Sequence, residues 1–180
     1  MQIAVLGAGS WGSALAIAMS HVADSVLLWS HKLEQVDYFQ LHRNNPSYLP
    51  AEIIFPANIS FPIHFNECCE TDLLIIATPL NAVREILQRL KQSSGRVPDI
   101  FLVSKGFEAN TGLLPHQIVA QELVGFNRYG LLIGPSFAKE VAFGLPTAIT
   151  LAAPELEFAV SWMNRLQSIP NFRIYAHDDV

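Results

Sequence analysis

The residues of this 180-residue chain best suited to chemistry are glycines, one lysine and a few hydroxyls placed just after short apolar runs. Gly7-Ala8-Gly9-Ser10-Trp11-Gly12 spells G-x-G-x-x-G directly after the apolar residues 2–6 and directly before the alanine-rich residues 14–19. In that setting Gly7 permits a tight turn, Gly9 lets the main chain approach a pyrophosphate, and Gly12 lets the following helix lie close to the strand. A phosphate there meets unpaired N–H groups and the positive end of the helix dipole. The chemistry expected is dinucleotide binding, with an unliganded structural turn as the competing reading.

The end of the second apolar run decides which dinucleotide. A carboxylate at that point accepts hydrogen bonds from the adenosine ribose and repels a 2′-phosphate. Here the residues are Trp29-Ser30-His31-Lys32, which offer donors and positive charge and no acid. NADP(H) is therefore expected to be accepted and preferred over NAD(H), against the alternative that His31 and Lys32 form only a solvated helix turn. Three later run ends are also chemically loaded: Thr78-Pro79-Leu80-Asn81, Ser104-Lys105-Gly106-Phe107-Glu108 and Gly134-Pro135-Ser136-Phe137-Ala138-Lys139-Glu140. A lysine at a strand's carboxyl end carries its ammonium into the ligand crevice, so Lys105 is the foremost candidate to meet a phosphate or a hydroxyl oxygen. Ser136 opens the next helix, where plain N-capping is the alternative to a ligand contact.

These positions need a scaffold that brings several strand ends to one place. Residues 2–6, 26–29, 73–77, 100–103, 131–133, 147–151 and 172–175 read as strands, and 10–21, 32–41, 81–91, 114–123, 136–143 and 154–168 as helices between them. Continuously apolar strands alternating with helices require a sheet covered on both faces, a Rossmann-type doubly wound α/β fold with a mostly parallel sheet. Prolines at 46, 50, 56 and 62 interrupt the pattern, and residues 44–65 are expected to run over the surface.

With 51% hydrophobic residues the chain has ample material for one large core. A net charge of −5 without a block of like charges argues against nucleic acid. No apolar run approaches the roughly 20 residues of a membrane span, and the first basic residue, Lys32, comes too late for a secretory leader. A cytoplasmic protein is expected. Cys68 and Cys69 are adjacent and are read as ordinary residues, with neither disulfide nor metal-ligand spacing.

Five of these segments, with Tyr48-Leu49-Pro50 and Gly144-Leu145-Pro146-Thr147-Ala148 joining the glycine turn, the Ser104 segment and the Gly134 segment, resemble the bacterial NAD(P)-dependent glycerol-3-phosphate dehydrogenases, in the family's order across nearly the whole chain. The resemblance implies reduction of dihydroxyacetone phosphate to sn-glycerol 3-phosphate for phospholipid synthesis. It implies that Ser10, Trp11, His31, Lys105 and Ala138 touch the cofactor and that Lys105, Gly134 and Ser136 touch the substrate. Family members are about twice as long, with a helical second domain that opens on a Gly-Gly-Ala-x-Lys-Asn segment bearing the general acid/base lysine, and are homodimers. Residues 1–180 are thus expected to form the NAD(P)-binding Rossmann domain, with that lysine beyond Val180 and little turnover alone. A stand-alone dinucleotide sensor and a related reductase of 2-keto or sugar acids are the alternatives.

Overall fold

The computed structural model describes residues 1–93 and 95–180. The chain runs β1 (Gln2–Leu6), α1 (Ser10–Met19), β2 (Ser25–Trp29), α2 (Leu33–His42), β3 (Ile59–Ser60), β4 (Leu73–Ile76), α3 (Val83–Gln92), β5 (Asp99–Leu102), α4 (Pro115–Glu122), β6 (Tyr129–Ile133), α5 (Ala138–Ala142), β7 (Thr147–Ala152), α6 (Leu156–Leu166) and β8 (Phe172–His177). The eight strands form one sheet in the order β3-β2-β1-β4-β5-β6-β7-β8. Every pairing is parallel except β6 with β7. The expected doubly wound, mostly parallel architecture is the one found.

Sequence alternation explains how both faces are filled. Ile3 and Val5 of β1 point to one core, shared with α1, α2 and α6, while Ala4 and Leu6 point to the other, shared with α3 and α4. Helix α1 is buried along residues 12–19 because it lies between the sheet and α5, which is why it can be apolar all round. Helix α3 faces solvent on one side and buries only Val83, Ile86, Leu87 and Leu90, a helical i, i+3, i+4, i+7 stripe. Both cysteines are buried, and that burial pushes the Cys68 thiol far above its ordinary range and Cys69 upward as well. Among the described residues no group of His, Cys, Asp and Glu is arranged to hold a metal, and no helix is long and apolar enough to cross a membrane.

Two expectations about local structure are corrected. Residues 44–65 do not simply ride over the surface. Leu49, Ile53, Phe55, Ile59 and Phe61 turn inward, and Phe55 and Phe61 each lie 5.3 Å from Phe39 of α2 in one aromatic cluster. The segment also supplies the edge strand β3. Arg43, in a left-handed turn at φ 51°, anchors it by donating to the carbonyls of Phe55, Pro56 and Ile59. The prolines do exclude a helix, but they do not keep the apolar side chains between them from turning inward. The second correction is at α5, which starts at Ala138 with Phe137 in the cap position and no side-chain cap. Ser136 lies one residue before it and closes a turn by donating its N–H to the Gly134 carbonyl at 3.0 Å.

Candidate functional site

Sheet order reverses direction at β1, where the chain leaves β2 and β3 on one side and continues with β4 on the other. In such sheets the crevice beyond the carboxyl ends of these strands is where ligands lie. A cleft of about 570 Å³ opens there, lined from five strand ends. After β1 come Gly7, Gly9, Ser10 and Trp11; after β2, His31, Lys32 and Gln35; after β4, Thr78 and Pro79; after β5, Ser104 and Lys105; after β6, Ser136, Phe137 and Ala138; Tyr48 closes one side.

The three glycines of the turn do different work. At Gly7, φ is +105° and a Cβ would come within 2.8 Å of the Ala77 carbonyl oxygen, so only glycine allows the crossing of β1 past β4. A Cβ on Gly12 would lie 1.9 Å from the Gly7 carbonyl oxygen, which makes Gly12 a packing residue beneath the cleft and not part of its lining. A Cβ on Gly9 would meet nothing within 4 Å, and its backbone is in an ordinary extended conformation. Nothing inside the chain requires glycine at position 9. The open space above it is what a close-approaching phosphate would use. Among the described residues the N–H groups of Gly9, Ser10 and Trp11 find no acceptor, as expected of a first helical turn.

Charge at the cleft runs against the charge of the whole. The chain carries −5, yet the lining holds His31, Lys32 and Lys105 and no Asp or Glu. Another cavity, of about 460 Å³ at the amino ends of β7 and β8, has Arg173 as its single charge and no convergence of strand ends. Electrostatics and topology therefore choose the same place.

Of the residues singled out in the sequence, Gly7, Gly9, Ser10, Trp11, His31, Lys105, Ser136 and Ala138 are gathered in this one cleft. Gly134 is not: it is pressed against β7, where a Cβ would meet Ile149 Cγ2 at 2.8 Å and the Ala148 carbonyl oxygen at 2.9 Å. Ser30 does line the cleft, but its hydroxyl is already engaged within the chain. It is buried, its hydroxyl donates to Gln35 Oε1 at 2.6 Å, and the same oxygen accepts the Lys32 N–H at 3.2 Å. Only His31 and Lys32 remain exposed at that end.

Gln35 and Asn45 carry no signal in the sequence, because an amide after a helix start or beside a proline reads as solvated. In the structure Gln35 Nε2 and Asn45 Nδ2 donate to the same oxygen, the Ala8 carbonyl, at 3.1 and 3.0 Å, and Asn45 also donates to Ser13 Oγ at 2.8 Å.

Glu108, in the same segment as Lys105, turns away from the cleft. It receives a two-pronged bond from Arg84 at 2.8 and 2.7 Å, plus the Thr111 hydroxyl, and Arg84 in turn reaches Glu122. The Arg84 guanidinium, assisted by Thr111, holds the Glu108 carboxyl down at about 2, against an ordinary 4.5. A carboxyl lowered in the folded state adds stability above its unfolded value and loses it as pH falls through the folded value. The thermal midpoint should therefore drop between pH 4.5 and about 2. In Glu108→Gln that part of the acid profile should flatten; a variant whose profile matches the wild type would show that the Arg84–Glu108 pair does not contribute to stability in that range.

The comparisons with known proteins agree with this geometry. Residues 2–159 match the family model described as NAD-dependent glycerol-3-phosphate dehydrogenase N-terminus. Glycerol-3-phosphate dehydrogenase [NAD(P)+] of Aromatoleum aromaticum is 43% identical over 181 aligned positions, covering 100% of this chain and 54% of that protein. The Zymomonas mobilis protein of the same name is 41% identical, over 99% of this chain and 51% of its own length. The crystal structure of glycerol-3-phosphate dehydrogenase from Coxiella burnetii superposes with a TM-score of 0.89 at 34% identity, covering 99% of this chain and 54% of that one. The chain spans about half the length of the relatives it matches. With its glycine turn, strand ends and cleft placed as described, it belongs to the NAD-dependent glycerol-3-phosphate dehydrogenase family, whose N-terminal region it matches.

Proposed function

We propose that residues 1–180 are the dinucleotide-binding domain of an NAD(P)-dependent glycerol-3-phosphate dehydrogenase, and that they bind NADP(H) in preference to NAD(H). The observation that carries the reading is the lining of the cleft: an open glycine turn with free N–H groups, flanked by His31, Lys32 and Lys105 and by no carboxylate. These residues fit the group. Gly9, Ser10 and Trp11 would take the pyrophosphate at the start of α1, His31 and Lys32 the adenosine end with its 2′-phosphate, and Pro79, Lys105 and Ala138 the far end. Bound there, the nicotinamide supplies the hydride that interconverts dihydroxyacetone phosphate and sn-glycerol 3-phosphate.

This chain's own contribution is to bind, orient and hold charge. Lys105, exposed beside Ser104 and Ser136, would hold negative charge on the substrate near the reacting end of the cofactor. The Ser104 hydroxyl donates to the Thr78 carbonyl at 2.7 Å, which ties the β5 end to the β4 end and steadies the loop bearing Lys105. Lys105 is assigned this electrostatic role, and proton transfer to the substrate oxygen is assigned to the lysine that the family resemblance puts in the second domain. In this reading the whole protein is cytoplasmic and homodimeric and feeds phospholipid synthesis.

Trp11 lines the cleft, so its fluorescence reports occupancy. Titration of the 180-residue chain should show saturable NADPH quenching with affinity at least as tight as for NADH, and negligible oxidation of NADPH when dihydroxyacetone phosphate is added. NADH binding about tenfold tighter, a difference of about 1.4 kcal/mol, would reject the preference for the 2′-phosphate. Turnover at the rate of a complete enzyme would reject the assignment of the proton donor.

A further inference from the structure

The Ala8–Gly9 peptide is flanked by glycines at positions 7 and 9. A planar trans peptide carries its C=O and N–H on opposite sides, so the direction of the Ala8 carbonyl fixes the direction of the Gly9 N–H. Glycine tolerates positive φ, so a flip of this peptide is sterically cheap at position 9. After such a flip the carbonyl oxygen would face the cleft and repel a pyrophosphate. The glycines that make room for the ligand thus also leave the turn free to adopt the wrong orientation.

Two amides oppose that flip. Gln35 Nε2 and Asn45 Nδ2 converge on the Ala8 carbonyl, at 3.1 and 3.0 Å, Gln35 from the cleft's lining and Asn45 from the buried interior. Asn45 is buried, and its amide is held in place by a second bond to Ser13 Oγ in α1. Gln35 is held by the Ser30 hydroxyl, whose oxygen also accepts the Lys32 N–H at the adenosine end. The bonds form one chain from Lys32, through Ser30 and Gln35, to the glycine turn.

We infer that Gln35 and Asn45 are positioning residues for the dinucleotide, holding the Ala8–Gly9 peptide so that the Gly9 N–H points at the pyrophosphate. The inference rests on the reading of the cleft as a NADP(H) site. It assigns the two amides no contact with the ligand. Their effect is confined to ligands that carry a pyrophosphate.

The test compares NADPH with 2′-AMP, which shares the adenosine and the 2′-phosphate and lacks the pyrophosphate. Gln35→Met keeps length and removes the donor; Asn45→Leu keeps size and removes the other. Each variant loses one of the two bonds on the Ala8 carbonyl, besides the bond to Ser30 or Ser13 that holds the amide, and should weaken NADPH about 5-fold, the double variant about 30-fold. Binding of 2′-AMP should stay within about twofold, since the His31 and Lys32 side chains that would meet the 2′-phosphate are retained and the Lys32 N–H keeps the Ser30 oxygen as its acceptor. In ¹⁵N-labelled chain the Gly9 amide resonance should shift on NADPH addition in the wild type and shift less in Gln35→Met. That single variant decides the matter even if Asn45→Leu does not fold, because Gln35 is only partly buried. Equal weakening of both ligands would overturn the proposal by showing a general structural role, and so would unaltered NADPH binding. A wild-type chain that takes up no NADPH would instead defeat the reading of the cleft.

Discussion

Gly12→Ala should prevent folding, while Gly9→Ala should fold normally and lose most of its dinucleotide affinity. The two residues belong to one motif, yet their surroundings differ. At position 12 a methyl group would sit 1.9 Å from the Gly7 carbonyl oxygen and 3.2 Å from the Ala77 Cβ, so α1 would have to retreat from β1 and β4 along its buried length. Overpacking usually costs about 1–3 kcal/mol, and a contact this short against main chain falls above that range because backbone cannot swing aside as a side chain does. Set against a total stability of about 5–15 kcal/mol for a domain, such a loss is expected to leave little folded protein. At position 9 the same methyl meets no protein atom within 4 Å and needs no change of backbone. Its circular dichroism and thermal midpoint should match the wild type, with NADPH affinity lowered by about 100-fold or more, roughly 2.7 kcal/mol, as phosphate and methyl compete for one space. A Gly9→Ala chain that binds NADPH like the wild type would remove the pyrophosphate from this turn.

Trp162→Ala should be the most damaging change far from the cleft. Trp162 is among the largest fully buried side chains, lies edge-on to Phe101 of β5 at 5.6 Å, and donates its indole N–H to Asp99 Oδ2 at 2.7 Å. Asp99 is itself buried and takes a two-pronged bond from Arg128 at 2.6 and 2.7 Å. Truncation removes the ring and one of the two donors to Asp99 Oδ2, which keeps its bond from Arg128, so a loss of about 3–5 kcal/mol is expected from the cavity alone, with more from the lost hydrogen bond to a charged acceptor. Trp162→Phe keeps most of the packing and isolates the hydrogen bond, for which about 1.5–3 kcal/mol is expected because the acceptor is charged. Urea midpoints separate the two, and a Phe variant as stable as the wild type would show that Arg128 alone satisfies Asp99. Because Asp99 opens β5 at the end opposite Lys105, the Phe variant should bind NADPH unchanged.

Much of the fold was legible because the signals were local. A glycine turn between an apolar run and an alanine-rich run can be read from a dozen residues, since sterics at φ > 0 and close helix packing admit so few side chains. Strand ends rich in Ser, Lys and Gly flagged Lys105 and Ser136 by the same logic, and both line the cleft. The helix start at Ser136 was misplaced because a serine before a helix is a good cap only if the backbone enters at the right residue, and here a turn onto the Gly134 carbonyl intervenes. The inward turn of Phe55 and Phe61 was hidden because their packing depends on Phe39 and on the left-handed turn at Arg43, neither of which leaves a period in the sequence.

What the sequence determined by itself was the doubly wound class, the glycine turn and the set of strand-end residues, because each follows from steric and periodic rules acting over a few neighbours. Which of those residues line the cleft with their polar groups free was decided by tertiary structure alone. The Ser30 hydroxyl is committed to Gln35, Gly134 is packed against β7, and Glu108 is held by Arg84. Gln35 and Asn45 gained their place behind the glycine turn in the same way. The physical reason is that a contact takes its value from the partner it meets, and apart from the Ser30–Gln35 pair these partners lie well outside the local window, those of Glu108, Gln35 and Asn45 being 24, 27 and 37 residues away along the chain.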